Sequence, residues 1–160
     1  MKILDMELRL AQWFGFVQNI IVPNVSWGMK LHECDLLIMS KKGYLTEVEI
    51  KTSLSDLKND IKKRHEHNDE KIKNLYFAIP EKLEKHIAYI PSHAGIIVLH
   101  EKQIYNDVYR KGIKEIRKPY SWIKVLPLSN EEQFQLARLG TMRIWMLKHK
   151  LKKARDKKCQ

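Results

Sequence analysis

The spacing of apolar residues along this chain changes several times between a helical pattern and a strand pattern. A first helix is predicted over residues 4–18, LDMELRLAQWFGFVQ, because apolar side chains recur three and four positions apart. Residues 19–27, NIIVPNVSW, predict a strand that Pro23 confines to the edge of a sheet. Two strand-like segments, 33–40 and 44–52, flank the turn signal Lys-Lys-Gly, so they predict an antiparallel hairpin.

The rest of the chain predicts helices and strands in alternation. Ser53 and Asp56 form a capping-box pattern that opens a helix directly after the second hairpin strand. The further predicted elements are buried-type strands at 74–80 and 94–100, a short helix at 81–90, a small hairpin within 103–126 and a long helix over 130–152. This order predicts one α/β domain with a mixed sheet, in which residues 1–128 form the core and 129–160 form a helix and basic tail packed on it.

The second hairpin strand carries charges where a buried strand would carry apolar residues. Glu47, Glu49 and Lys51 alternate with Val48 and Ile50. Since alternate side chains of a strand share a face, the three charged groups line one side of the sheet.

The predicted hairpin brings a further carboxylate to this face. With the turn near residues 41–43, Asp35 lies beside Glu49 or Lys51, at about 5 Å across the ladder. Two carboxylates that close repel each other unless a cation lies between them, and oxygen ligands suit Mg²⁺ or Mn²⁺. The ammonium of Lys51 then lies within reach of a phosphate or of the water that attacks it. The alternative is a solvated face with ordinary cross-strand ion pairs.

The charge balance points to a polyanionic partner. Lysine and arginine total 30 against 19 acidic residues, a net charge of +11. Residues 148–158, KHKLKKARDKK, hold seven of these basic residues and one aspartate. Nucleic acid is the commonest polyanion that such a protein meets, so DNA is the expected partner.

Other features of the sequence favour a cytoplasmic protein without a membrane segment. No apolar run approaches the ~20 residues that a membrane helix needs. The start, MKILDMELRL, does not resemble a signal peptide. Cys34 and Cys159 lie far apart and form neither a metal-ligand pattern nor a disulfide framework, which suits a reducing compartment.

The aspartate, followed after thirteen residues by Glu-x-Lys and then by a helix, resembles the core of the PD-(D/E)XK nuclease superfamily. Within it, the stretches CDLLIMSKKGYLTEVEIKTSLSDLKND, LYFAIP and AGIIVL resemble the MmcB-like DNA repair proteins. The resemblance covers about residues 33–100. It implies a restriction-endonuclease-like αβββαβ core, with a mixed central sheet flanked by helices and a basic C-terminal helix added.

The resemblance also implies roles for individual residues. Asp35 and Glu49 would hold Mg²⁺ or Mn²⁺, the backbone carbonyl of Ile50 would be a further ligand, and Lys51 would be the catalytic lysine. The superfamily often adds an acidic ligand from the first helix, here Glu7. Cys34 stands where many relatives have proline.

Three points are predicted with less support from the sequence. Four basic residues along the helix after the active strand are candidates for contacts with the DNA backbone: Lys58, Lys62, Lys63 and Arg64. Glu47 is expected either to face solvent or to contact the metal-binding residues without binding the metal itself. Many relatives act as dimers, so a homodimer is one expected arrangement.

The resemblance favours a metal-dependent deoxyribonuclease, an endonuclease acting in DNA repair or recombination. The runner-up is a non-catalytic nucleic-acid-binding accessory protein that kept the fold. A metal-free α/β interaction domain is a third class. Divalent-ion binding and DNA cleavage separate the three.

Overall fold

The computed structural model describes residues 1–26, 28–29, 31–62, 70–105 and 108–158, without the side chains of 60–62, 108, 109 and 158. Its helices are α1 (Ile3–Trp13), α2 (Leu54–Lys62) and α3 (Asn130–Lys158), with a 3₁₀ segment at Glu81–Tyr89. Its strands are β1 (Ile20–Val25), β2 (Cys34–Met39), β3 (Leu45–Ile50), β4 (Ile72–Pro80), β5 (Gly95–Tyr105) and β6 (Val108–Arg117).

The six strands form one mixed sheet in the order β1-β2-β3-β4-β5-β6. The pairs β3–β4 and β4–β5 are parallel, and the other neighbours are antiparallel. Helix α2 connects β3 to β4, which is the crossover that a parallel pair requires. The predicted α/β class, the mixed sheet and the αβββαβ order are confirmed.

One face of the sheet is apolar and is covered by α1. Met6 and Leu10 of α1 pack on side chains that face them from the four central strands. These side chains are Leu36, Ile38, Val48, Ile50, Ala78, Ile97 and Leu99. The apolar side chains of the alternating segment 44–52, Val48 and Ile50, are therefore buried between the sheet and α1.

Two separate helices cover the opposite face. Leu136 and Leu139 of α3 pack on β1 and β2, where they meet Val22 and Leu37. On the other side of β3, Leu57 of α2 joins a cluster of β4 and β5 residues. The charged residues of β3 lie on this face, between the two apolar clusters.

Several predicted boundaries were wrong. Helix α1 ends at Trp13 rather than at 18, and Gly15 follows with a φ of +73°, which interrupts a helix. The short helix predicted at 81–90 is present as a 3₁₀ helix over Glu81–Tyr89, with non-helical backbone angles at His86. Helix α3 continues to Lys158 instead of ending at 152.

The predicted small hairpin within 103–126 is replaced by a longer one. β5 continues to Tyr105 and pairs with β6 from Ile96 onward, so the pair begins deep in the core. Gly112 lies within β6 opposite His100. Backbone pairing extends the ladder past the point where the apolar sequence pattern stops.

Arg9 fastens α1 to this hairpin. Its guanidinium donates to the carbonyl oxygen of His100 at 3.0 Å and to that of Gly112, and its exposed fraction is 9%. Asp5 lies 3.8 Å from the guanidinium. A charged donor thus satisfies two carbonyl groups that the helix would otherwise cover.

We expect Arg9→Met to lower the free energy of unfolding by about 3 kcal/mol, because two carbonyl groups lose a charged donor. Urea unfolding followed by circular dichroism measures the change. Arg110→Met, at an exposed position of β6, is the matched control and should leave the value within about 0.5 kcal/mol. An equal loss in both variants would contradict this role.

Candidate active site

The hairpin register places Asp35 and Glu49 side by side. Leu36 pairs with Val48 and Leu37 with Glu47, so the next position along the ladder sets Asp35 against Glu49. The Oδ2 atom of Asp35 accepts a hydrogen bond of 2.7 Å from the backbone N–H of Ile50. This bond holds the Asp35 carboxylate against the end of β3.

Lys51 completes the group. Its Nζ donates to Oε2 of Glu49 at 2.7 Å, and the exposed fractions of the two residues are 4% and 6%. Its backbone N–H bonds to Ala78 of β4 at 3.0 Å, and its ammonium lies 5.8 Å from the ring centre of Phe77. Packing on β4 therefore holds a buried cation beside two carboxylates.

Burial makes these carboxylates hard to ionise. The pKa of Glu49 is raised to about 7, chiefly by desolvation, although Lys51 opposes the shift; repulsion from Asp35 and Glu47 adds to it. Desolvation also raises the pKa of Asp35, against the Ile50 N–H and Lys51. Additional positive charge at this point would relieve both effects.

Glu7 approaches the pair from α1. Its Oε1 accepts a hydrogen bond of 3.5 Å from the side-chain amide of Asn24 on β1. Asn24 lies opposite Asp35 in the ladder, because Pro23 pairs with Leu36 and Val25 pairs with Cys34. Asn24, Asp35 and Glu49 thus form one row across three neighbouring strands. The pKa of Glu7 is raised, first by burial and then by repulsion from Asp35. The structure therefore brings a third carboxylate into the electrostatic range of Asp35.

Glu47 does not face solvent, which was one of its two predicted placements. It is fully buried, and its Oε1 lies 2.7 Å from Nε2 of His32. The residues before β2 and helix α3 cover this end of β3. His32 was missed, because it lies outside any regular element and only the tertiary structure brings it to Glu47.

The predicted DNA-contacting residues stay predictions. Lys58 is exposed on α2, and its Nζ lies 5.2 Å from the ring centre of Tyr89. Lys62 is the last residue of α2, and its side chain is not among those described. Lys63 and Arg64 lie outside the described residues.

The oxygen donors of Asp35 and Glu49 suit Mg²⁺ or Mn²⁺. Such ions usually take one or two carboxylates and complete their coordination with waters and substrate phosphates. Within the part of the chain that the structure describes, no group of three or more His, Cys, Asp and Glu side chains is arranged to hold a metal. The chemistry of these two carboxylates is compatible with such an ion, and metal binding stays a prediction.

Comparison with known proteins gives a family for this arrangement. A sequence model of the DNA repair proteins described as MmcB-like matches residues 17–118, well over half of the 160 residues and all of β1 to β6. The chain belongs to the MmcB-like family of DNA repair proteins. Its place in DNA repair follows from this family.

The solved structures add a relative in fold. A protein of unknown function from Silicibacter pomeroyi superposes with a TM-score of 0.56 at 14% identity, covering 94% of this chain and 89% of its own. A search of the curated proteins found no match. As for membranes, none of the described helices is long and apolar enough to span a bilayer.

We expect Mg²⁺ or Mn²⁺ to raise the melting temperature of this family member by about 3 °C at millimolar concentration. The rise should be larger at pH 8 than at pH 5.5, because Glu49, with its pKa near 7, must lose its proton before it binds a cation. Differential scanning fluorimetry measures both.

The matched pair of variants for this measurement is Asp35→Asn and Glu33→Gln. Asp35→Asn removes a proposed ligand and should abolish the cation effect. Glu33 is exposed just before β2, so Glu33→Gln should keep it. A rise that is unchanged in Asp35→Asn would exclude Asp35 as a ligand.

Proposed function

We propose that this protein is a metal-dependent DNA endonuclease of the PD-(D/E)XK type that hydrolyses phosphodiester bonds in DNA repair or recombination. The observation that carries the proposal is the cluster of Asp35 and Glu49 on two adjacent strands with Lys51 directly after the second strand. Glu49 and Lys51 are buried, and Asp35 is half-buried. The composition and spacing of this cluster resemble those of the superfamily site, and a cation would relieve the repulsion between its carboxylates.

In this proposal Asp35, Glu49 and the carbonyl of Ile50 hold Mg²⁺ or Mn²⁺. The ion, when bound, would polarise the scissile phosphate and lower the pKa of a water. The Ile50 N–H keeps the Asp35 carboxylate oriented through the 2.7 Å bond. Glu7 supplies further negative charge from α1, next to Asp35.

Lys51 supplies the positively charged hydrogen-bond donor of the site. One of its three N–H groups is bound to Glu49, which fixes the ammonium position. Another N–H can orient a water or stabilise negative charge that develops on a phosphate oxygen. Since Lys51 is buried, this interaction is stronger than it would be in water.

Two features favour the second candidate, a non-catalytic DNA-binding accessory protein. Lys51 and Glu49 already form a compact ion pair, and burial of such a pair is compatible with a purely structural role. Within the described ranges, the candidate metal site also has fewer than three clustered side-chain ligands. Cleavage therefore decides between the two candidates.

The test is incubation of plasmid and branched DNA with the protein and Mg²⁺ or Mn²⁺. We expect nicked or linear products that end in 5′-phosphates, and no cleavage in EDTA. Lys51→Ala should reduce the rate at least ~100-fold, since it removes the ammonium that orients the water or stabilises charge on the phosphate. Lys114→Ala, at an exposed lysine of β6, should cleave like the wild type.

Folding of Lys51→Ala is checked independently of cleavage. Its carboxylates remain, so divalent cations should still raise its melting temperature. A wild-type protein that binds the cation but cuts none of these DNAs would favour the accessory role. Cleavage that persists in EDTA or in Lys51→Ala would reject the proposed mechanism.

A further inference from the structure

Helix α3 has two halves with different surroundings. Leu136 and Leu139 of its first half are buried in the core on the site face of the sheet. From Ile144 onward every described side chain is exposed. Residues 144–158, here called the basic arm, contain seven Lys or Arg and one Asp, a net charge of +6 out of +11 for the whole chain.

The arm begins beside the candidate active site. The backbone N–H of Leu128, just before α3, donates to the carbonyl oxygen of Gly43 in the turn between β2 and β3. This turn is at the end of the hairpin that is far from the site. Gly140 then lies against Val22, and the guanidinium of Arg143 donates to the carbonyl oxygen of Asn24. Helix α3 thus advances along β1 until Arg143 reaches the row of Asn24 and Asp35.

This row fixes the distance between arm and site. Asn24, Asp35 and Glu49 stand on three neighbouring strands, so the start of the arm is about two strand spacings, or roughly 10 Å, from Glu49. Asn24 also bonds to Glu7, which links α1, α3 and the site at one position. The arm continues from there for fifteen residues, about 22 Å at the helical rise.

Most of the described cations of the arm lie away from its apolar side. Ile144 and Leu147 border a groove of about 870 Å³ that they share with Leu4 and Leu8 of α1, and Lys150 also lines this groove. The other described basic residues of the arm, Lys148, Lys152, Lys153, Arg155 and Lys157, are exposed outside it. Lys148 and Lys152 are four positions apart, as are Lys153 and Lys157, and such like-charged pairs destabilise a free helix. A polyanion alongside would relieve this repulsion.

We propose that the basic arm binds the phosphate backbone of duplex DNA and guides it to the cluster of Asp35, Glu49 and Lys51. This inference rests on the proposed function for its substrate, but it predicts binding that needs neither metal nor cleavage. An arm of about 22 Å spans roughly six base pairs, which presents phosphates to most of its cations. Its contacts would position DNA without reading sequence.

The test compares two triple variants with the same net charge. One is Lys148→Gln, Lys152→Gln and Arg155→Gln in the arm. The control is Lys82→Gln, Lys85→Gln and Lys114→Gln, at exposed positions of the 3₁₀ segment and β6. Binding of a short labelled DNA duplex is measured by fluorescence anisotropy in EDTA, between about 50 and 200 mM salt.

We expect the arm variant to lose at least ~10-fold in affinity, and its slope of log K against log salt to be shallower by about 2.7, from three contacts at about 0.9 each. The control should match the wild type in slope. Two results would overturn the proposal: equal salt slopes for all three proteins, or equal losses of affinity in both variants. The arm would then contribute only to the net charge of the protein, or would bind another partner.

The outcome stays separate from that of the cleavage test. Loss of binding in the arm variant together with no cleavage by the wild type would support the arm and reject the nuclease. Cleavage by the wild type with unchanged binding by the arm variant would support the nuclease and reject the arm. Circular dichroism and the melting temperature, both measured in EDTA, verify that both variants are folded.

Discussion

The burial of the Glu49–Lys51 ion pair is the constraint on which the rest of this structure depends. Desolvating two charges costs several kcal/mol for each ion, and the contact of 2.7 Å between them offsets only part of this. Around it, the site face divides into two apolar clusters, one under α3 and one under α2. The opposite face packs as a single apolar cluster under α1.

An ion pair in this position is weak support for stability, since apolar residues of similar volume would pack as well or better. The strand that carries it also buries Glu47, and Asp35 adds a further carboxylate from the neighbouring strand. Desolvation by burial is the main cause that raises the pKa of Glu49 to about 7, and repulsion from Asp35 and Glu47 adds to it. An arrangement that is electrostatically unfavourable alone and favourable with a cation is typical of functional sites.

Helices from both faces meet at the edge strand next to this site. Asn24, which has a positive φ of 52°, donates from its side-chain amide to Glu7 of α1, and its carbonyl oxygen accepts a hydrogen bond from Arg143 of α3. Arg9 fixes the other side of α1 to β5 and β6. The two helices therefore share one anchored position, and the charges that they carry are oriented relative to Asp35.

The sequence by itself determined the sheet-forming core and placed Asp35 beside Glu49 or Lys51, and the observed register then set it against Glu49. The core and this placement follow from local rules, because the period of two along 44–52 and a short turn at Gly43 fix which side chains share a face. Only the tertiary structure decided that Glu47 is buried against His32, that β5 and β6 extend beyond their apolar residues, and that α3 reaches the row of Asp35 at Arg143. These contacts join residues far apart in the chain, and their geometry depends on how helices pack on a twisted sheet, which no local pattern specifies.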